Sequence, residues 1–222
     1  MVYLYHEDAG KAELTLKGDM HRYIFKVRRQ KVEDTLHLRT LQDDFIHSYT
    51  ISYLDKSTAV LSLTQSKEFY CGARVPLHIA WCVIDPKSVE KVLPSLNEMG
   101  VEKITFLYCQ RSQKSFKLDF KRFEKILLSS SQQSGRSKLM VLEMGTTLPA
   151  FLEAHPKSKM LNFSPNLVSD TTPIETIVIG CEGGFSAEEV ALFAAKDIIG
   201  LDTPLVLKSE SAVCAVASQV LL

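Results

Sequence analysis

Two patterns of apolar and polar residues divide the chain near residue 70. Before residue 66, short runs in which apolar and polar residues alternate predict β-strands separated by turn signals. This part shows no helical pattern, so we expect a small β-barrel. The predicted strands are Glu13–Lys17, Tyr23–Arg28, Thr35–Arg39, Ser48–Tyr53 and Thr58–Thr64.

From residue 75 onwards, apolar runs with strand character alternate with amphipathic helical patterns. This order predicts an α/β fold with a mostly parallel sheet covered on both faces. We therefore expect one domain over residues 1–70 and a second over residues 71–222. The predicted strands are Val75–Ile84, Val101–Tyr108, Leu139–Leu142, Lys159–Phe163, Ile174–Ile179 and Ile198–Leu201. The predicted helices are Lys87–Met99, Asp119–Gln133, Leu148–Ala154, one from Ser186 to about Lys196, and a last one from about Ser211.

The stretch Ile174–Val190, with the sequence IETIVIGCEGGFSAEEV, joins a predicted strand to a predicted helix through a glycine loop. Ser186 and Glu189 have the spacing of a capping box, which places the start of the helix. Open α/β sheets bind ligands at the carboxyl ends of their strands, next to such turns. The stretch is therefore the first candidate for a ligand site.

The chemistry of this loop narrows the class of ligand. A phosphate cradle combines glycines with a lysine, whereas this loop has Glu182 and no basic residue. A carboxylate repels phosphate but can hold a hydroxyl, an amine or a cation, and S-adenosylmethionine offers all three. The alternative is a tight strand-to-helix turn with a solvated glutamate.

The distribution of charge and the spacing of the cysteines narrow the possible functions further. The 222 residues carry 26 basic and 26 acidic side chains, but basic residues concentrate in Met20–Arg39 and Lys103–Lys138. Two such segments favour a surface that binds RNA or DNA. The alternative is that they are ordinary solvent-exposed faces of helices and strands. The five cysteines form no CxxC motif, which argues against a zinc site or a disulfide framework and for a reducing cytosol. We expect a cytoplasmic protein, because the start of the chain does not resemble a signal peptide and no apolar run has the length of a membrane span.

Several motifs then resemble one family, in its order along the chain. IGCEGGFSAEE resembles the IGPEGGFSxxE signature of the bacterial 16S ribosomal RNA uracil-N3 methyltransferases, which belong to the SPOUT, or α/β-knot, superfamily. LVLKSESA resembles that family's RxLRxETA segment, and QQSGR at 132–136 resembles its EQxGR motif. Arg111-Ser112 resembles its RS pair, and His21 followed by VRR at 27–29 resembles its H…VLR pattern.

The resemblance implies a PUA-like β-barrel followed by a SPOUT domain whose C-terminal chain forms a trefoil knot. It also implies a homodimer, and S-adenosylmethionine held in a cleft of three loops. The apolar runs and the cysteine pattern lead us to expect no membrane and no metal partner. The apolar last helix, rich in small residues, fits such close packing. The residues that the resemblance marks for the cofactor are Leu161, Asn162, Ile179, Gly180, Glu182, Gly183, Gly184, Leu201, Pro204, Leu205 and Leu207.

The family resemblance also implies the reaction, which is methylation of N3 of a uridine in 16S ribosomal RNA of the small ribosomal subunit. We expect Glu210 to orient or deprotonate the uracil and Arg136 to stabilise negative charge on its oxygens. For Glu210 the alternative is a carboxylate that favours the start of the last helix. The residues expected to contact RNA are Arg22, Arg28, Arg29, Arg111, Lys114, Lys117 and Lys208.

Four departures from the family pattern bear on the site. Cys181 replaces a proline, Gln132 a glutamate, and Leu205 and Lys208 each replace an arginine. Lysine keeps the charge but loses the planar fork, and leucine loses both. These departures leave two alternatives open: a SPOUT methyltransferase for another RNA site, and a catalytically inactive RNA-binding or ribosome-assembly protein. A dinucleotide-dependent oxidoreductase is disfavoured because GxGxxG is absent.

Overall fold

The structure, a computed structural model, describes residues 2–170 and 173–222. Two compact units form: one comprises the chain up to Gly72 together with Ser131–Lys138, and the other comprises Ala73–Ser130 and Leu139–Leu222. The sequence placed residues 131–138 in the second domain. They pack in the first unit because they hold the N-terminal strand: the Gln132 carbonyl accepts a bond from the Val2 N–H over 2.9 Å.

The first unit is a curled, barrel-like sheet of five strands in the order β1-β3-β4-β5-β2. Its strands are β1 Leu4–Tyr5, β2 Glu13–Lys17, β3 Thr35–Arg39, β4 Phe45–Leu54 and β5 Thr58–Glu68. The pairing is antiparallel except between β1 and β3, which run parallel. Alternate residues of the strands point inward and, together with Ile24 from outside the strands, form one apolar core. It is made of Leu4, Leu14, Leu16, Ile24, Leu36, Leu38, Tyr49, Ile51, Ala59 and Leu61. The expected barrel-like domain is confirmed.

One predicted strand of this unit is wrong. The chain from Gly18 to His21 is an α-helix, α1, and continues as a π-helical turn over Arg22–Val27, where the sequence predicted a strand and no helix. Burial explains the outcome, because His21 and Ile24 are buried and Phe25 is partly buried. These residues are three and four positions apart, which is the spacing of one helix face.

The second unit contains a six-stranded parallel sheet in the order β11-β9-β10-β6-β7-β8. Its strands are β6 His78–Cys82, β7 Lys103–Leu107, β8 Val141–Met144, β9 Lys159–Leu161, β10 Thr176–Ile179 and β11 Ile198–Ile199. Its α-helices are α2 Pro86–Met99, α3 Phe120–Ser134, α4 Leu148–Ala154, α5 Ala187–Val190 and α6 Ser209–Leu221. The last four residues of α3 belong to the first unit. The predicted parallel α/β architecture is confirmed.

Local signals set both ends of α2, and one helix is shorter than expected. Asp85 caps α2, and Gly100 ends it with a left-handed φ of 101°. The helix predicted from Ser186 to about Lys196 ends at Val190, and a 3₁₀ turn follows over Ala195–Asp197. The extended conformation of Ala194 separates the two.

The last helix, α6, packs one face into the core and leaves another exposed. Val213, Val216 and Ala217 are fully buried, whereas Ser218 and Gln219 are exposed. The apolar composition of this helix predicted burial on all sides, but within this chain one face of α6 is exposed. The trefoil knot around it stays a prediction.

Cys82 and Cys109 form a disulfide in the core of the second unit, with a Cα–Cα distance of 5.6 Å. The cysteine spacing argued against a disulfide framework, so the pairing of these two residues was not predicted. Cys82 pairs with Leu107 across β6 and β7, and Cys109 follows two residues later. Only the parallel pairing of the strands brings the two cysteines together, and their separation of 27 residues does not reveal it.

Candidate functional site

A cavity of about 480 Å³ lies at the carboxyl ends of β9, β10 and β11. Three loops of the second unit and the start of α6 enclose it, as expected for an open α/β sheet. The lining residues are Leu161, Asn162, Phe163, Ser164, Ile179, Gly180, Cys181, Glu182, Gly183, Gly184, Phe185, Leu201, Thr203, Leu205, Val206, Leu207, Ser209 and Ala212.

Every residue predicted to bind the cofactor lines this cavity except Pro204. Six lining residues of the three loops were not among those predicted: Phe163, Ser164, Cys181, Phe185, Thr203 and Val206. Ser209 and Ala212 were not predicted either, and they reach the cavity from the first turn of α6. Their small size was the available signal, because small side chains let a helix approach a loop closely. The sequence assigned the last helix to close packing but not to the ligand site.

The glycines of the loop after β10 are required by close approach and by backbone conformation. A Cβ on Gly180 would lie 3.2 Å from the Phe185 ring, and Gly184 has a φ of 68°. A Cβ on Gly183 would lie 3.2 Å from the side chain of Arg111. Any larger residue would strain the loop or close the space beside it.

A buried hydrogen-bond relay fixes the glycine loop to α6. The indole N–H of Trp81 donates to the hydroxyl of Ser209 over 2.8 Å, and this hydroxyl donates to the Gly180 carbonyl. Trp81 is fully buried at the heart of the sheet. One serine therefore sets the position of the loop relative to the core.

A second network holds the other end of the loop. The buried carboxylate of Glu189 accepts the Ser186 N–H over 2.9 Å, which completes the predicted capping box. It also accepts the N–H of Gln110, from the loop after β7, over 2.7 Å. Arg111 follows in that loop, and its guanidinium donates to the Gly183 carbonyl over 2.7 Å. The loop after β7 thus braces the glycine loop from outside the cavity.

The lining of the cavity is poor in positive charge and rich in apolar surface. Among the described residues that line it, none is a lysine or an arginine, and the one charged side chain is Glu182. Phe163, Leu205 and Val206 are mostly exposed beside the opening, with exposed fractions of 79%, 68% and 79%. Such a cavity favours a neutral or cationic ligand with apolar parts over a phosphate.

The two predicted catalytic residues lie in different units. Glu210 is half-buried in the first turn of α6, next to the cavity-lining Ser209. Arg136 is buried in the first unit, where its Nε donates to the Lys138 carbonyl and its own carbonyl accepts the Tyr3 hydroxyl. The structure describes each within its own unit, so their joint role stays a prediction.

All seven residues predicted to bind RNA are exposed. Arg22, Arg28 and Arg29 belong to the π-helical segment of the first unit and the turn after it. Arg111, Lys114 and Lys117 lie in the loop after β7, and Lys208 precedes α6. Of these, Arg111 already has a structural partner in the glycine loop.

The first residue of β6, at the end of the strand away from the cavity, is a half-buried histidine. The Nε2 atom of His78 lies 2.7 Å from the Thr105 hydroxyl, which donates to the Glu143 carboxylate over 2.7 Å. Burial, with the positive charge of Lys103 and the ring of His155 nearby, lowers the pKa of His78 to about 4. This ring is thus neutral at physiological pH and belongs to the fold rather than to the cavity.

Residues 2–170 and 173–222 show neither a metal centre nor a membrane span. These residues contain no group of three or more His, Cys, Asp or Glu side chains placed to hold a metal ion. None of their helices combines the length and the apolar character needed to cross a membrane.

Comparison with known proteins identifies the family. A family model described as an RNA methyltransferase domain matches residues 72–221. Ribosomal RNA small subunit methyltransferase E of Helicobacter pylori is 36% identical over 222 residues, which cover 98% of each chain.

Solved structures share the fold. A probable rRNA-methyltransferase from Porphyromonas gingivalis superposes with a TM-score of 0.81 at 21% identity, over 100% of this chain and 98% of that one. Ribosomal RNA small subunit methyltransferase E from Neisseria gonorrhoeae, bound to S-adenosyl methionine, superposes with a TM-score of 0.77 at 15% identity, over 98% and 95%. At these identities the structures establish the architecture, and the family model and the Helicobacter relative establish the family. The chain therefore belongs to the ribosomal RNA small subunit methyltransferase E family of RNA methyltransferases.

Proposed function

We propose that this RNA methyltransferase transfers the methyl group of S-adenosylmethionine to N3 of a uridine in 16S ribosomal RNA of the small subunit. The observation that carries the proposal is the cavity at the carboxyl ends of the strands, built from three loops without a lysine or an arginine among its described lining residues. The name of the Helicobacter pylori relative supports the choice of small-subunit RNA.

The residues of the cavity fit the cofactor. Its volume of about 480 Å³ lies within the range of small-molecule sites. We expect main-chain groups of the loops around Leu161, Gly180 and Leu201 to meet the edge of the heterocycle, and Glu182 to offer a carboxylate to ribose hydroxyls or to a positive charge. The cofactor supplies a methyl group activated by the sulfonium. Because glycines line one wall, a ligand can approach the main chain closely.

The acceptor needs help from the protein. N3 of uracil is mostly protonated at neutral pH, so it becomes a nucleophile only when a base removes the proton or a cation stabilises the anion. Glu210 is the proposed base or orienting group, since it follows the cavity-lining Ser209 on α6. Arg136 is the proposed cation. Its guanidinium also holds the Lys138 carbonyl, so an Arg136→Lys variant has to be checked for folding as well as for turnover.

Exposed basic residues are proposed to position the RNA by its phosphates. Arg22, Arg28 and Arg29 would act from the first unit, and Lys114 and Lys117 from the loop after β7. Lys208 would contribute a positive charge just before the start of α6. Arg111 would contact a phosphate in addition to its hydrogen bond to the Gly183 carbonyl of the glycine loop. Binding should then weaken steeply as salt concentration rises, because each phosphate contact releases counterions.

We also propose that the protein acts as a homodimer in the cytoplasm. The exposed face of α6 and the exposed apolar residues Leu205 and Val206 beside the cavity suit burial against a second copy. Light scattering at several protein concentrations measures the oligomeric state. A monomer at all concentrations would refute the homodimer. Cell fractionation tests the cytoplasmic location.

Methyl transfer to three acceptors tests the proposal. Labelled S-adenosylmethionine is supplied with purified small ribosomal subunits, free 16S ribosomal RNA or transfer RNA. Incorporation into small-subunit RNA at N3 of a uracil supports the proposal. Incorporation only into transfer RNA indicates another RNA site. Failure to bind S-adenosylmethionine in calorimetry favours an inactive RNA-binding or assembly protein, which the substituted arginine positions at 205 and 208 keep open.

A further inference from the structure

The first unit has a cleft of its own, formed beside the π-helical turn. Its volume is about 120 Å³, enough for one planar ring system but too small for a larger cofactor. The lining residues come from the N-terminal strand, the π-helical turn with the turn after it, and β3: Val2, Tyr3, Leu4, Ile24, Arg28, Gln30, Thr35, Leu36 and His37.

The cleft has an apolar floor and a polar rim. Tyr3, Leu4, Ile24 and Leu36 are buried and belong to the interior of the unit. The rim residues Arg28, Gln30, Thr35 and His37 are exposed or half-buried. They offer a guanidinium, an amide, a hydroxyl and an imidazole, so a flat ring with polar edges can meet apolar contacts on its face and donors and acceptors on its edge.

The backbone of the segment beside the cleft is unusual and well held. Residues Arg22–Val27 form a π-helix, and Arg29 then has a φ of 58°, which is left-handed. The Arg28 N–H bonds to the Tyr23 carbonyl over 2.9 Å, and the Gln30 N–H bonds to the Ile24 carbonyl over 3.3 Å. π-helical turns and left-handed non-glycine residues are costly and concentrate at functional sites. The cleft is thus preformed by the chain itself.

Contacts with Tyr23 hold the guanidinium of Arg28 in one orientation. Its guanidinium lies 5.6 Å from the centre of the Tyr23 ring, and its Nε donates to the Tyr23 hydroxyl over 3.2 Å. An oriented guanidinium plane is a surface on which an RNA base can stack. The residues from Met20 to Val32 include Arg22, Lys26, Arg29 and Lys31 and no acidic residue, so they attract the phosphates on either side of such a base.

We propose that this cleft binds one unstacked base of the RNA substrate, with the base against the apolar floor and Gln30 at its edge. The inference rests on the proposed function only in taking RNA as the substrate. It differs from the expectation of phosphate contacts alone, because phosphates need neither the apolar floor nor the amide. The segment would hold the RNA by a base as well as by its charge.

The test compares binding of two probes by fluorescence anisotropy at one salt concentration. One is a short labelled oligouridylate, and the other is an abasic ribose-phosphate oligomer of the same length. A base in the cleft predicts that the wild type binds the oligouridylate about 10-fold more tightly. Gln30→Ala, which changes no charge, should reduce this preference severalfold. Arg28→Lys should reduce it too while keeping the salt dependence, because the charge remains and the plane is lost.

The control is Gln42→Ala, the same change at an exposed glutamine of the same unit outside the cleft. It should keep the full preference, and all variants should melt at the wild-type temperature. Equal binding of the two probes by the wild type overturns the proposal, and so does a Gln30→Ala variant with unchanged preference. Methyl transfer to small subunits is measured in parallel. If methylation occurs while the probes bind equally, only the cleft is refuted; if calorimetry shows cofactor binding but no RNA is methylated, the proposed function fails instead.

Discussion

Ser209→Ala should destabilise the protein and weaken its cofactor site at once. The hydroxyl of Ser209 accepts a bond from the buried Trp81 indole N–H and donates one to the Gly180 carbonyl. Removing it leaves the indole N–H without this partner in the core, which costs about 1–3 kcal/mol. The Gly180 carbonyl is partly exposed and can turn to water, so it adds less. We expect a total loss of about 2 kcal/mol in the free energy of unfolding.

That loss should lower the melting temperature by about 4–8 °C in a chain of this size. The matched control is Ser211→Ala, the same change two residues later at an exposed position of the same helix. Differential scanning calorimetry measures stability, and titration calorimetry measures the Kd of S-adenosylmethionine, which should rise because Gly180 lines the cavity.

A double-mutant cycle separates this relay from a general effect of the substitution. In a Trp81→Phe background the indole N–H is gone, so Ser209→Ala should cost about 1 kcal/mol less than in the wild type. If Ser209→Ala melts at the temperature of the Ser211→Ala control, the relay does not hold the loop and the reasoning is refuted.

Three further predictions concern other residues. Because the pKa of His78 is about 4 in the folded protein and about 6.5 when unfolded, the unfolded chain binds this proton first as pH falls, and stability is lost below about pH 6.5. After allowing for solvent screening of the half-buried ring, the free energy of unfolding in urea should be about 1 kcal/mol lower at about pH 5 than at neutral pH. The His78→Gln variant should lack this loss, and an equal loss in both proteins would contradict the assignment. Glu189→Gln removes the charge that accepts two backbone hydrogen bonds, and it should lower the free energy of unfolding by about 1–3 kcal/mol in thermal unfolding. Glu188→Gln, at the exposed neighbouring position, should lower it little. Equal losses in the two variants would refute the bracing role. Glu210→Gln should lower kcat about 100-fold with unchanged cofactor affinity, and normal single-turnover rates would exclude an acid–base role.

Local chemistry made the glycine loop and its capping box predictable. Ser186 and Glu189 bond to each other's backbone within four residues, so the sequence contains the whole interaction. The order of strands and helices likewise predicted the parallel sheet, since a strand, a helix and a return strand lead to parallel pairing. The loops at the strand ends then followed from the topology.

Features that depend on distant contacts could not be predicted. The second bond of Glu189, to Gln110, joins residues 79 positions apart, and the Trp81–Ser209 bond joins residues 128 apart. The disulfide between Cys82 and Cys109 needs the pairing of β6 with β7. No local pattern encodes these contacts, although each fixes part of the site.

The helical turn at Arg22–Val27 shows a different kind of failure. Its mixture of aromatic, β-branched and basic residues fits a strand by propensity, but the buried positions His21 and Ile24 follow helix spacing. Packing against the barrel core overrides the weak local preference. The basic residues of this segment that were predicted to contact RNA are nevertheless exposed in the structure.

Mass-spectrometric mapping of 16S ribosomal RNA from cells with and without this protein tests the central claim most directly. The account predicts one uridine that carries a methyl group on N3 in the presence of the protein and none in its absence, with the modification restored by the wild-type chain but not by Glu210→Gln. Identical maps from the two strains would contradict it.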